Sequence, residues 1–167
     1  MLDSFTTARL QADRLTADDV PEIRRMHADA RLMEHLRGVR DEAGNAAYLA
    51  RNLQHWTDYG FGLWILRELG GGPPVGRAVL RHLVVEDVEE VEVGYAFYPE
   101  YWGRGLATEI AAACLALGRE KLHLKTIVAV TSLSNAASQH VLRKVGLAYE
   151  RDFMEDGKVL ALFRTIA

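Results

Sequence analysis

Tyr101-Trp102-Gly103-Arg104-Gly105-Leu106-Ala107-Thr108-Glu109 is the stretch from which the fold of this chain can be inferred. It follows a run with strand-like alternation and leads directly into a helical pattern. A strand, a glycine turn and a helix start bring several backbone N–H groups together, and the helix dipole adds about half a positive charge there. A side chain at Gly103 or Gly105 would hold a phosphate away from those amides. The stretch therefore predicts a site for the pyrophosphate of a nucleotide-containing cofactor.

A glycine turn alone is also compatible with a plain corner between a strand and a helix. The turn lacks the Gly-Lys-Ser/Thr ending that a P-loop requires. It also lacks the third glycine of the dinucleotide-binding fingerprint, and it lies late in the chain. The identity of the ligand must therefore come from the rest of the sequence.

The composition is that of one globular domain spanning residues 1–167, with 49% apolar and 26% charged residues. A net charge of −3 argues against nucleic acid as a partner. Cys114 is the one cysteine, and the six histidines form no ligand-spaced set, so neither a disulfide nor a metal site is expected. No apolar run is long enough to cross a bilayer, and the amino terminus has no signal-peptide core. We expect no membrane association and a cytoplasmic location.

Upstream of the turn, periodicity predicts a strand, two helices and a meander of three strands. The predicted ranges are a strand at Thr7–Arg14, a helix from about Thr16 to residue 30, a helix at Glu42–Tyr59 with Leu49, Leu53 and Trp56 buried, strands at Phe61–Arg67 and Val75–Val85, a tight connection at Asp87–Glu90, and a strand that ends before Pro99. In that last strand Glu92 lies on the face opposite the apolar positions.

Downstream of the turn, the pattern predicts a helix, a strand, a second helix and a closing hairpin. The ranges are a helix from Leu106 to about Leu122, a strand at Thr126–Thr131, a helix that begins after Ser134-Asn135 and stops at Gly146, and strands at Ala148–Glu155 and Val159–Ile166 around Asp156-Gly157. Asn135 is a typical N-cap, and Asp-Gly is a strong hairpin signal. The chain therefore reads as a mixed α+β domain.

This order of elements resembles the GNAT superfamily of acyl-CoA-dependent N-acetyltransferases. Its pyrophosphate motif, Gln/Arg-x-x-Gly-x-Gly/Ala, is filled by Trp102 to Ala107, although Trp102 departs from the usual first residue. A second block runs from Asn135 to Leu147, as Asn-Ala-Ala-Ser-Gln-His-Val-Leu-Arg-Lys-Val-Gly-Leu. Both blocks are similar to the branch of the ribosomal-protein alanine N-acetyltransferases (RimJ/RimL type). The resemblance implies a central, mostly antiparallel sheet flanked by helices and splayed between its fourth and fifth strands.

The resemblance also implies acetyl-CoA as a co-substrate and no metal. The turn amides, with the Arg104 side chain, would bind the pyrophosphate, and the edge of the strand from Tyr95 to Phe97 would pair with the pantetheine arm. An N–H near Phe97 would polarise the thioester carbonyl. The implied cofactor-binding residues are Tyr95, Phe97, Trp102, Gly103, Arg104, Gly105, Ala107, Thr108 and Asn135.

Two residues are candidates for catalysis. Glu92 is the candidate general base, acting directly or through water, and the alternative is a solvent-facing carboxylate in an acidic strand. Many family members carry a proton-donating Tyr seven residues after the Asn, where this chain has Leu142. Ser138 is therefore the candidate proton donor for the departing thiolate, and the alternative is a serine on a helix surface.

The function that the resemblance implies is acetyl transfer to a primary amine, either a protein N-terminus or a small molecule such as an amino acid, a polyamine or an antibiotic. The competing class is a sensor that binds acyl-CoA without turnover. A sensor needs Gly103 and Gly105 but neither Glu92 nor Ser138. Both a monomer and a homodimer are compatible with the sequence.

Overall fold

The computed structural model describes residues 2–166, which form eight strands and five α-helices. The strands are β1 (Ser4–Thr6), β2 (Leu10–Arg14), β3 (Leu63–Glu68), β4 (Gly76–Val85), β5 (Val88–Phe97), β6 (Val128–Ser132), β7 (Leu147–Glu155) and β8 (Lys158–Thr165). The helices are α1 (Val20–Ala28), α2 (Ala30–Met33), α3 (Glu42–Tyr59), α4 (Leu106–Glu120) and α5 (Ala136–Lys144). Short 3-10 turns precede α1 and follow β5.

All eight strands form one sheet in the order β1-β2-β3-β4-β5-β6-β8-β7. Neighbouring strands are antiparallel except β5 and β6, which are parallel. Within residues 2–166, Glu92 and Val128 are the one aligned pair between β5 and β6. Because the two strands separate beyond that pair, the sheet is open at its centre. This confirms the predicted fold. The opening lies between β5 and β6 and not between a fourth and a fifth strand, because the additional strand β1 shifts the numbering by one.

Helices cover both faces of the sheet. On one face, Val93 and Phe97 of β5 pack with Leu106 and Ile110 of α4 in the largest apolar cluster. On the other face, Ala96 of β5 joins the cluster formed by α1, α2 and α3. Successive residues of β5 therefore point alternately to α4 and to the α1–α3 layer, as a strand requires. This alternation places Glu92 on the α1–α3 side.

Two predicted ranges in the first half of the chain were wrong in detail. Only Leu10–Arg14 of the predicted strand Thr7–Arg14 is a strand. The residues before it, 7–9, form a connection to a separate strand at Ser4–Thr6, with which Leu10–Arg14 pairs. The tight connection after β4 is Glu86-Asp87 rather than Asp87–Glu90. Both turn residues have positive φ, 47° and 67°, and such turns match the twist of the strands they join.

The predicted buried stripe of α3 was also wrong in part. The buried residues of that helix are Asn45, Tyr48, Asn52 and Trp56, whereas the predicted Leu49 and Leu53 are only half-buried. The physical reason lies in β4, which carries arginines on the face below α3. Polar groups of the helix therefore face inward, where they can form hydrogen bonds.

No helix among residues 2–166 combines the length and hydrophobicity that a bilayer-spanning segment needs. The same part of the chain holds no group of three or more His, Cys, Asp or Glu side chains placed to bind a metal ion. Cys114 is buried in the core, and this burial raises the pKa of its thiol to about 12. It is therefore a packing residue rather than a nucleophile.

Candidate active site

The glycine turn presents a continuous set of free backbone donors. The N–H groups from Gly103 to Thr108 donate no hydrogen bond to any acceptor within residues 2–166. Gly105 is the N-cap of α4 and has no side chain to cap the first amides, so the first bond of the helix runs from Glu109 N to the Gly105 carbonyl at 3.1 Å. Gly103 and Gly105 have φ of 73° and 78°, the left-handed conformation that glycine adopts without strain. Together these amides form the donor set of an anion site at a helix N-terminus.

The turn is held in this conformation from behind. Arg9 Nη1 donates to the Arg104 carbonyl at 2.7 Å, and Arg9 Nε donates to Glu109 Oε1 at 2.9 Å. No protein atom lies within 4 Å of the position that a Cβ on Gly103 would occupy, so the space next to Gly103 is free for a ligand. The donors are thus oriented before a ligand arrives, which lowers the entropic cost of binding.

An outer cavity of about 420 Å³ lies beside the turn. Every predicted cofactor-binding residue except Arg104 lines it, namely Tyr95, Phe97, Trp102, Gly103, Gly105, Ala107, Thr108 and Asn135. Arg104 Nη2 instead donates to Glu68 Oε1 at 2.9 Å, away from the cavity lining. In this structure the Arg104 side chain is thus paired with Glu68, and the Arg104 backbone N–H faces the turn without an acceptor within residues 2–166.

The edge of β5 faces this cavity with free peptide groups. The Ala96 carbonyl points toward β4, since a Cβ at Gly76 would lie only 2.3 Å from it. The peptide groups of Tyr95 and Phe97 therefore point the other way, toward the opening between β5 and β6. Trp102 Nε1 donates to the Phe97 carbonyl at 2.8 Å, which leaves the Phe97 N–H and the Tyr95 peptide group for another chain. An amide-bearing arm could pair with β5 there as a strand would.

An inner cavity of about 150 Å³ adjoins the outer one. The residues that line both are His35, Leu36, Tyr95, Ala96, Asn135 and Ser138. Glu92 lines the inner cavity together with side chains from α3 and β4. The two predicted catalytic residues therefore share one cavity, and Ser138 lies where the cavities meet.

Glu92 is an ion-paired cavity residue rather than a solvent-facing carboxylate. Its side chain is 12% exposed, and Arg81 Nε donates to its Oε1 at 2.7 Å. Burial disfavours the charge of the Arg81 guanidinium, yet the nearby Glu92 and Tyr48 hold the Arg81 pKa above its ordinary value. Glu92 Oε2 accepts no hydrogen bond within residues 2–166 and is not fully buried. That oxygen is open to water or to an amine.

Ser138 lies on the first turn of α5, opposite a tyrosine of β5. The hydroxyl of Tyr95 lies 3.3 Å from Ser138 Oγ and 3.4 Å from the Ser138 carbonyl. Burial raises the pKa of Tyr95, and the hydrogen bond to Ser138 opposes this only in part. The amide of Ser138 donates to Asn135 Oδ1 at 3.1 Å, which confirms the predicted N-cap. Leu142, one turn further on, is buried and also lines the inner cavity.

Sequence reasoning missed the side chains that form the far wall of the inner cavity. These are Tyr48 of α3, Arg77 and Arg81 of β4, and His35, which follows α2. His35 Nδ1 lies 2.8 Å from Ser132 Oγ. The available signal was the spacing of the two arginines, which share one face of a strand whose other residues are mostly apolar.

Comparison with known proteins gives consistent matches. Residues 9–148 match the family model described as the acetyltransferase (GNAT) domain. The uncharacterized protein YkkB of Bacillus subtilis is 27% identical over 135 residues, which cover 81% of this chain and 78% of that protein. The crystal structure of an acetyltransferase from Agrobacterium tumefaciens str. C58 has a TM-score of 0.86 at 25% identity, covering 98% of this chain and 94% of that one.

Two more distant structures share the fold alone. RimL, described as a ribosomal-protein alpha-N-acetyltransferase and solved with coenzyme A, has a TM-score of 0.76 at 13% identity, covering 96% of this chain and 95% of that one. Spermidine N-acetyltransferase from Vibrio cholerae, solved with CoA and spermine, has a TM-score of 0.74 at 16% identity, covering 93% and 94%. Their acceptors differ, a ribosomal protein in one and a polyamine in the other, so this fold alone does not identify an acceptor.

Proposed function

The chain belongs to the acetyltransferase (GNAT) family, and from that premise we propose that it transfers an acetyl group from acetyl-CoA to a primary amine in a ternary complex. The observation that carries this proposal is the run of free amides from Gly103 to Thr108. These donors lie at the outer cavity, beside the opening between β5 and β6. A pyrophosphate fits such a cradle because it is anionic and offers many acceptor oxygens.

The remaining cofactor contacts follow from the same cavity. The free peptide group of Tyr95 would pair with the amides of the pantetheine arm. The Phe97 carbonyl already accepts from Trp102, and the Phe97 N–H would face the thioester carbonyl. Asn135 lines the same space, with its side-chain carbonyl already used to cap α5. The thioester end would then lie near Ser138, where the outer and inner cavities join.

Acetyl-CoA supplies the activated acetyl group, and the reaction forms a C–N bond as the C–S bond breaks. We assign Glu92 the removal of a proton from the amine, directly or through water, because its Oε2 is open to the cavity. We assign Ser138 the donation of a proton to the departing sulfur. Tyr95 is placed to return a proton to Ser138, since their hydroxyls are 3.3 Å apart. An acyl-CoA sensor would need neither Glu92 nor Ser138.

For the acceptor, the sequence resemblance to the ribosomal-protein alanine N-acetyltransferases favours a protein N-terminus. The fold is shared with RimL and with the spermidine enzyme alike, so it does not discriminate between a protein N-terminus and a small amine. The proposed setting is the cytoplasm, and the proposed state is a monomer or a homodimer.

The test is the release of free CoA thiol from acetyl-CoA across a panel of amines and N-terminal peptides. We expect turnover with at least one amine. We also expect loss of CoA binding in Gly105→Leu, because a side chain at this left-handed residue is strained and its Cβ would lie 3.4 Å from Arg9 Nη2, which holds the turn amides in place. Gly157→Leu is the matched control, since Gly157 has φ of 76° but lies in the turn between β7 and β8. Tight CoA binding without turnover of any amine would favour the sensor, and normal CoA binding by Gly105→Leu would refute the assigned cradle.

A further inference from the structure

Positive charge is concentrated around Tyr48 of α3, and two of the arginines there, Arg77 and Arg81, line the inner cavity. Four arginines surround the Tyr48 ring, with guanidinium carbons 4.8 Å (Arg40), 5.7 Å (Arg51), 4.7 Å (Arg77) and 5.9 Å (Arg81) from its centroid. Within residues 2–166, Glu92 is the one carboxylate that pairs with any of them, and it pairs with Arg81. Three guanidinium charges in this cluster therefore have no counter-ion in the described part of the chain.

Arg77 is the member of the cluster most removed from bulk solvent. It is 6% exposed, and its Nη1 donates to His27 Nε2 at 2.8 Å. His27 is oriented for this by Asn45, whose Oδ1 lies 2.8 Å from His27 Nδ1. The other Arg77 nitrogens are not among the fully buried side-chain atoms without a partner, because among residues 2–166 only Arg40 Nε is such an atom. These Arg77 nitrogens therefore keep access to the cavity that Arg77 lines.

A buried guanidinium without a counter-ion is costly, because burial removes its hydration, and for Arg77 one hydrogen bond to His27 and the face of the Tyr48 ring replace it only in part. The same charges act on neighbouring groups: burial raises the pKa of Tyr48, but Arg77 and Arg81 outweigh this and the Tyr48 pKa is lowered. The pKa of Arg77 is lowered by burial first, and Arg81 adds to that. An anion bound in the cavity would remove this cost.

We propose that the acceptor is a primary amine that carries a carboxylate, and that Arg77 binds this carboxylate inside the inner cavity. The inference rests on the proposed function, since it names the acceptor of that same reaction. Glu92 supplies the negative charge of the cavity, so the amine lies toward Glu92 and the carboxylate toward Arg77. A polyamine is disfavoured, because it would place further positive charge against the arginines.

Such a carboxylate could come from a free amino acid or from an acidic residue at a protein N-terminus. The first test therefore measures wild-type kcat/KM for matched pairs: alanine with alaninamide, and peptides that begin with Asp with the same peptides beginning with Asn. Rates are expressed per neutral amine, which removes differences in amine basicity. We expect the acid of one pair to be preferred about 10- to 100-fold, the range for a charged hydrogen bond. A preference for alanine over alaninamide would identify a free amino acid as the source of the carboxylate. A preference for the peptides that begin with Asp would identify an acidic residue at a protein N-terminus.

The second test replaces Arg77. In Arg77→Gln the preference for the acid should fall about 10-fold or more through KM, while the KM of acetyl-CoA stays unchanged. Arg77→Lys keeps the charge and should retain part of the preference. Arg119→Gln is the matched control, because Arg119 is exposed near the end of α4 and lines neither cavity. Thermal unfolding of each variant reports its folding, and if Arg77→Gln does not fold, the wild-type pairs still decide.

The outcomes separate the two proposals. Equal rates within every pair, or a preference for amides or spermidine, would overturn the anionic acceptor and leave the acetyltransferase proposal intact. Absence of turnover with every amine would instead overturn the acetyltransferase proposal. In that case the binding of the same pairs is measured by calorimetry. Equal affinity for the acid and the amide of each pair would overturn the proposed carboxylate site in addition to the acetyltransferase proposal.

Discussion

Tyr95 brings a hydroxyl to the place where the outer and inner cavities meet. It extends from β5 to within 3.3 Å of Ser138 Oγ on α5. The family resemblance implies a helix tyrosine at residue 142, where this chain has a buried leucine. A strand residue and a helix serine together occupy that region, so a proton donor remains available although the helix tyrosine is absent.

We predict that Ser138→Ala lowers kcat by about 100-fold, within the range for loss of a general acid, with little change in the KM of acetyl-CoA. Tyr95→Phe should lower kcat less, because it removes the partner of the donor and not the donor itself. Steady-state kinetics with a fixed amine measures both effects. Ser134→Ala is the control, since Ser134 is exposed just before α5. An unchanged kcat in Ser138→Ala would show that Ser138 has no catalytic part.

Arg104 shows how a charged side chain in a binding motif can serve the fold instead. Its guanidinium pairs with Glu68, and its carbonyl accepts from Arg9. Both contacts anchor the turn to the β1–β3 side of the sheet. The donors left for the proposed pyrophosphate are therefore backbone N–H groups, which any sequence with suitable glycines can present.

At the scale of elements, the two helices that meet the cofactor cavity begin in opposite ways. α4 begins at Gly105 without a side-chain cap, which leaves its first amides free for a ligand. α5 begins at Asn135, whose side chain occupies the amide of Ser138. The uncapped end of α4 keeps donors free for the proposed pyrophosphate, and the capped end of α5 fixes the position of Ser138.

We predict that Asn135→Ala and Asp41→Ala each lower the free energy of unfolding by about 1 kcal/mol, the usual effect of losing an N-cap. Asp41 caps α3 by accepting from Gly44 N at 2.8 Å and lines neither cavity, so it is the matched control. Urea denaturation measures the stability of both. Only Asn135→Ala should also lower kcat/KM, because the first turn of α5 carries Ser138. Equal kinetics in the two variants would contradict the supporting role of Asn135.

At the scale of the whole molecule, the opening between β5 and β6 is where backbone groups of the sheet have no neighbouring strand and remain free for a ligand. β4 and β5 pair over their full length, whereas β5 and β6 share one aligned pair. The sheet continues beyond the opening through β6, β8 and β7. The cavity walls therefore belong to two well-paired halves, which keeps the slot open without a ligand.

Global stability should depend on pH through His27. Burial, and then the charge of Arg77, lower the pKa of His27 from 6.5 to about 4. Between these values the unfolded chain binds a proton that the native state does not bind, so the free energy of unfolding rises with pH across this window and falls as pH drops. We predict a loss of roughly 2 kcal/mol from pH 7 to pH 5 through this residue alone. Urea denaturation at both pH values measures it.

The control for this prediction is another histidine. His27→Gln should flatten the pH dependence, whatever its effect on stability at pH 7, because Gln does not titrate. His140→Gln should leave the dependence unchanged, since His140 is exposed on α5. A slope between pH 5 and pH 7 that is the same in all three proteins would show that His27 is not protonated on unfolding.

The sequence by itself determined the order of the elements apart from β1 and α2, together with the glycine turn and the cap of α5. These features depend on residues close together in the chain, as when Gly103 and Gly105 permit a left-handed turn beside a helix start. The residues that line the outer cavity could be selected from the sequence for the same reason, since most of them lie in one stretch. Side-chain direction was not predictable even there, as Arg104 shows.

Only the tertiary structure decided what surrounds the reacting groups. Tyr48, Arg77 and Glu92 are distant in sequence, and they meet because α3 packs over β4 and β5 next to the opening in the sheet. The buried polar face of α3 follows from the arginines beneath it and not from the periodicity of the helix itself. A cavity is formed by packing, and packing depends on the summed contacts of many elements. The charges that line the inner cavity could therefore be identified only in three dimensions.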